Sequence, residues 1–103
     1  MKLKPLAAFL MIAIFFTSCG EKTDVVESGT YSGIVDNVEP SKTEIYVKTS
    51  DDKTLELYFT DSTSLTRNGQ SVEFSQLEEG QKVEVDVEKT GKRLDPLAVR
   101  ILD

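Results

Sequence analysis

The segment KVEVDVEK, residues 82–89, alternates without a fault. Val83, Val85 and Val87 are interleaved with Glu84, Asp86 and Glu88. Successive side chains on a strand point to opposite faces, so this pattern sets a wall of valines against a wall of carboxylates. On a helix the same valines would be spread around the circumference, where no single core could collect them. The period returns three times. EIYVKT sets Ile45, Val47 and Thr49 against Tyr46 and Lys48. TLELYF sets Leu55, Leu57 and Phe59 against Glu56 and Tyr58. PLAVRIL sets Leu97, Val99 and Ile101 against Ala98, Arg100 and Leu102. Half-buried antiparallel strands read this way. TYSGIVDNV is a fifth, less regular strand, and Gly33 inside it predicts a bulge or a sharp bend.

The connections carry turn chemistry. SDDK at 50–53 closes a hairpin whose inward residues must face each other, so paired residue numbers sum to an even value. A sum of 104 leaves Asp51, Asp52 and Lys53 as the loop. It predicts Ile45 opposite Phe59, Val47 opposite Leu57, Tyr46 opposite Tyr58 and Lys48 opposite Glu56, with favourable pairs on both faces. Asn68-Gly69 predicts a type I′ turn. In FSQLEEGQKVEV, Ser75 and Glu78 have capping-box spacing, Gly80 suits a left-handed stop, and Leu77 is the expected core plug on a single helical turn. The expected fold is all-β: a small antiparallel OB-like barrel of five to six strands with one short helical turn, over residues 29–103.

The first nineteen residues differ. Lys2 and Lys4 precede eleven unbroken apolar residues, Leu6 to Phe16, then Thr17, Ser18 and Cys19. A basic start, a short apolar run and small residues define a secretory signal peptide, and eleven residues are too few to span a bilayer. The expected divisions are a cleaved signal peptide over 1–18 and a lipidated N-terminus with a flexible tether over 19–28. Such a tether has a mean reach of about 15–18 Å.

FTSC resembles the lipobox of bacterial lipoprotein precursors, with Phe16 in place of the commoner leucine. The resemblance implies a diacylglyceryl thioether on Cys19, cleavage after Ser18, and palmitate-type acyl chains holding the protein in a membrane; two or more chains anchor stably. The location implied is the bacterial cell envelope. Gly20 lacks the aspartate of inner-membrane retention, which favours the outer membrane, facing the periplasm or the cell surface. The run from Gly29 to Ile101 is in turn similar to a bacterial OB-like domain family of unknown function found in exported proteins and lipoproteins. Gly33, Ile34 and Val38, the central hairpin and FSQLEEGQKVEV carry that likeness, which implies a fold and no activity.

The residues past Ser18 carry ten basic and eighteen acidic side chains, which argues against nucleic acid, whose phosphates need Lys and Arg. The chain has no histidine and one cysteine, so no catalytic residue, cofactor site or metal site is expected. Glu84, Asp86 and Glu88 recur about 7 Å apart along a strand, too far for a catalytic pair. Asp51-Asp52 and Asp61-Ser62-Thr63 lack the spacing of a calcium loop. The exposed aromatics are the better candidates. Tyr46, Lys48, Glu56 and Tyr58 form the candidate ligand face, since OB-type barrels use that face of strands two and three. The expected partners are the membrane, through Cys19, and an envelope protein or glycan. The alternative is a structural or assembly accessory that pairs through an edge strand and takes no small ligand.

Overall fold

A computed structural model describes residues 23–102; the expected signal peptide and Cys19 lie outside them. Seven strands follow in order: β1 Gly29–Glu39, β2 Glu44–Thr49, β3 Thr54–Tyr58, β4 Ser64–Arg67, β5 Gln70–Ser71, β6 Lys82–Thr90 and β7 Arg93–Ile101. They form one sheet in the order β3-β2-β1-β6-β7-β4-β5. The sheet curls until β3 lies against β7, although no ladder joins them among the described residues. The all-β, barrel-like expectation holds, with two additions. Two-residue β5 raises the count, and β4 runs parallel to β7, pairing Leu65 with Val99.

The alternating positions meet inside. Val35, Ile45, Val47, Leu55, Leu57, Val83, Val85 and Val99 are essentially sealed from solvent, and Leu77 plugs one end as expected. Leu77 follows a 3₁₀ turn, Phe74–Gln76. The expected capping box does not form. Ser75 sits inside the turn, and Glu73 precedes it without a side-chain cap. The Gln81 carboxamide does the wiring instead, accepting from the Glu78 amide at 2.9 Å and donating to the Gln76 carbonyl at 2.9 Å. Gly80, at φ +93°, then donates its amide to Val35 O at 2.8 Å. Asn68 and Gly69, at φ 55° and 80°, make the expected I′ turn.

β1 carries both halves of the sheet. Gly29 to Ile34 pair with β6, and Gly33 to Glu39 pair with β2, so the strand changes partners at Gly33 and Ile34. Gly33 therefore marks the bend, while the bulge lies three residues on, at Asp36. A Cβ on Gly33 would stand 2.5 Å from the Lys48 carbonyl oxygen and 2.7 Å from a Val47 methyl. Glycine is needed there because the β2 backbone passes over it. A second bulge corrects the reading of PLAVRIL. Val87 pairs with Pro96 and Asp86 with Ala98, so Leu97 is the extra residue and is thrown outward. Pro96 has no amide to give the ladder, and a bulge accommodates that.

The β2–β3 register also differs from expectation. The pairs sum to 102: Ile45 faces Leu57, Tyr46 faces Glu56, and Glu44 faces Tyr58. Parity is kept, and the turn makes the choice. The Thr49 amide donates to Lys53 O at 2.8 Å, the Lys53 amide to Thr49 Oγ1 at 3.1 Å, and Thr49 Oγ1 to Asp51 Oδ1 at 2.5 Å. The loop is thus Ser50 to Asp52, with Asp52 left-handed at φ 69°. This is the three-residue hairpin loop that ends in a left-handed residue.

Gly33→Ala is expected to lower stability by about 1–3 kcal/mol, the usual cost of an overpacked site. Gly29→Ala, whose Cβ would meet only a Tyr31 ring carbon at 3.8 Å, should be near neutral. Denaturant midpoints at unchanged slope would show the difference; equal midpoints would contradict the close approach.

Candidate functional site

The outer face of the β2–β3 hairpin carries three of the four expected ligand residues, arranged differently from a tyrosine pair. The register places Tyr46 across from Glu56 and Tyr58 across from Glu44, a checkerboard of two phenols and two carboxyls. The Tyr58 hydroxyl donates to Glu56 Oε2 at 2.9 Å, and Thr23 Oγ1 donates to Glu56 Oε1 at 3.5 Å. Tyr46 is half-buried and Tyr58 is exposed. The tyrosines are diagonal neighbours turned toward acids, so they form no stacking platform. Lys48 stands apart, near the hairpin loop, with its ammonium 3.5 Å from Asp52.

Glu44 is the residue the sequence reading missed. It has no exposed surface, and neither carboxylate oxygen has a donor. Its carboxyl faces that of Glu56, with both phenols alongside. Two bare carboxylates cannot share such a place, and one proton resolves it. Burial raises the affinity of Glu44 for a proton, and the facing Glu56 adds to this. Glu56 is held below its ordinary range, first by its hydrogen bond to Glu44, then by Tyr58 and Thr23. The opposite directions favour a proton on Glu44 over one on Glu56. Burial and the neighbouring Glu44 push the Tyr46 phenol up to about 12. Tyr58 is raised as well, by Glu56 first. Glu44 has the parity of Tyr46 and Lys48, so its face was legible; its burial depends on the neighbouring Tyr46, Tyr58 and Glu56.

The acidic row on β6 is also less bare than its sequence. Arg100 of β7 reaches Glu84 at 2.9 Å and Asp86 at 2.7 and 3.0 Å. Arg100 first, then Thr30, holds the Asp86 carboxyl below its usual range. Among the described residues no group of three or more His, Cys, Asp or Glu side chains is placed to hold a metal ion.

Two open hollows lie away from the checkerboard. One, of about 510 Å³, opens at the β1 bend between Gly33, Ile34, Lys48, Lys82, Val83 and Leu102. The other, of about 560 Å³, lies between Phe59 and Phe74 and a run of hydroxyl residues. Both fall in the size range of ligand pockets.

No protein-family model matches the chain, and no curated protein matches it by sequence. Solved structures do match in fold. A CusF variant with Cu(II), from Escherichia coli, aligns with a TM-score of 0.58 at 13% identity, over 73% of this chain and 91% of that one. CusF with Ag(I) aligns with a TM-score of 0.56 at 13% identity, over 74% and 99%. At that identity the likeness is one of fold: the chain shares the CusF barrel.

Because folding raises the pKa of Glu44, its contribution to stability falls as pH rises from the ordinary 4.5 through the raised value. Glu56, lowered by folding, contributes in the opposite sense, above its ordinary range. Glu44→Gln keeps a donor toward Glu56 and removes the titration. It should gain stability relative to wild type as pH rises above 4.5, with the gap narrowing to nothing near pH 4. A gap independent of pH would contradict the shared proton.

Proposed function

We propose that this chain is a non-enzymatic binding module, lipid-anchored through Cys19 in the bacterial cell envelope, and that it receives a protein partner in the hollow at the Gly33 bend. One observation carries the reading. Ile34 and Leu102 stay 40% and 54% exposed at the rim of one apolar-walled hollow. A concave apolar surface with a polar rim is the usual form of a protein contact. Charge at the rim is balanced, with Lys48 and Lys82 against Asp36 and Asp52, and Lys48 pairs with Asp52 at 3.5 Å. The partner suited to it presents an apolar side chain ringed by polar groups.

The accessory reading, pairing through a sheet edge, has less to work with. Asp24 covers the β3 edge, its amide donating to Thr54 O at 2.7 Å and its carboxylate accepting from the Thr54 amide at 2.9 Å. At the other edge β5 has two residues. Short or covered edges discourage strand addition. CusF structures contain Cu(II) and Ag(I). Residues 23–102 contain no Cys, Met or His, hence no thiolate, thioether or imidazole to select a soft ion. Neither ion is carried over to this protein.

The docked N-terminal segment adds geometry. Thr23 to Ser28 are bonded along β3 and β6, with Ser28 Oγ accepting from the Lys89 amide at 2.8 Å. Only residues 19–22 then separate the anchor from the barrel, at most about 14 Å of extended chain. The partner is accordingly a membrane-proximal protein, with the outer membrane favoured.

Cys19→Ala should abolish fatty-acyl labelling and membrane fractionation; unchanged fractionation would contradict the anchor. A photo-crosslinking residue at Ile34 should yield one discrete adduct in cells, and the same residue at Glu88, at the far end of β6 from Lys82, should yield none. Equal labelling from both positions would contradict the hollow as the contact.

A further inference from the structure

The hollow between Phe59 and Phe74 is unused by the reading above, and its chemistry differs. The two rings meet edge to face, with centroids 5.1 Å apart at 89°. With Val72 and Leu65 they make an apolar floor, and both phenylalanines are half-buried. The rim is polar: Thr43 and Asp61 stand with Ser64 and Ser71.

Part of this rim is already committed to holding its own shape. Thr63 Oγ1 donates to Pro96 O at 2.9 Å and accepts from the Thr60 amide at 3.0 Å; the Ser62 amide donates to Thr60 Oγ1 at 3.1 Å. These bonds fix the Thr60–Thr63 turn. The Asp61 carboxylate and the Ser64 and Ser71 hydroxyls have no partner among the described residues. Thr43, on the opposite lip, is left-handed at φ 46°. It closes the 3₁₀ turn Pro40–Lys42, its amide donating to Pro40 O at 3.1 Å, and its carbonyl accepts from the Phe59 amide at 2.8 Å beside the floor.

We infer that this hollow is a saccharide subsite, with Phe59 and Phe74 as its apolar floor and Asp61, Ser64 and Ser71 as its hydrogen-bonding rim. A pyranose has one face of polarised C–H groups and an edge of hydroxyls. The C–H face suits the negative face of an aromatic ring. The hydroxyls suit a carboxylate that accepts two bonds and serine hydroxyls that donate or accept. The lining holds no Lys or Arg, which disfavours an anionic ligand. A rim of hydroxyls would be left unpaired by a purely apolar one. The neutral, amphipathic ligand that satisfies both surfaces is a sugar. This site is separate from the Gly33 hollow, and either can fail without the other.

The test uses the full chain, held in a zwitterionic detergent free of sugar head groups. Cellobiose and chitobiose are titrated in turn while amide NMR shifts are followed. The expected result is saturable shifts at Thr43, Asp61, Ser64, Ser71 and Phe74 with one of the two sugars. Asp61→Asn and Ser71→Ala, both exposed and free of structural bonds, should weaken binding at least fivefold with the rest of the spectrum unchanged. Ile34→Glu, in the other hollow, should leave the titration as it was. No saturable shift with either sugar, shifts confined to the Gly33 hollow, or wild-type affinity in both rim variants would overturn the assignment.

Discussion

β1 is the strand on which everything else hangs. Its first half pairs with β6 and its second half with β2, and the exchange takes place across Gly33 and Ile34. Only there can the β2 backbone come within contact of the bend, because any side chain would meet the Lys48 carbonyl. The β2–β3 hairpin is thereby folded over the β6–β7 pair, and the two rows of alternating apolar residues close on one another. The same bend throws Ile34 outward and leaves the hollow between Lys48 and Lys82. Core and proposed contact surface thus follow from one missing Cβ.

The outer hairpin face shows how position and availability differ. A reading of alternation places Tyr46, Glu56 and Tyr58 together, and the structure does bring them together. Their polar atoms, however, are directed at each other and at Glu44. A carboxyl cut off from water and without a donor is costly unless neutral. Burial works against the charged form of Glu44, and the facing Glu56 adds to this. The polar atoms of this face are engaged with one another, and the two larger hollows lie elsewhere.

Much of the barrel was legible because period-two alternation is a direct imprint of a half-buried strand. Val83, Val85 and Val87 could go nowhere else, and Leu77 between a helical turn and Gly80 could only be a plug. What escaped depends on single contacts. The Thr49 hydroxyl chose a three-residue loop over its neighbour in register, moving every β2–β3 pair by two. The proline at position 96 displaced Leu97 into a bulge. Gln81 took over the role expected of a capping box. The hollow between Phe59 and Phe74 joins residues from the segment after β3, from β4 and β5, and from the 3₁₀ turn, a grouping that only the closed barrel creates. Residues 1–22, with the anchor cysteine, are outside the described structure, and their reading rests on the sequence.

If β1 joins the two halves into one unit, they open together. Native-state hydrogen exchange measures this directly, amide by amide. The most protected amides of β2 and β3 should exchange with the same opening free energy as those of β6 and β7. Exchange of the whole β2–β3 hairpin about tenfold or more faster than β6 and β7 would show the hairpin opening alone, and would contradict a barrel held together through the bend at Gly33.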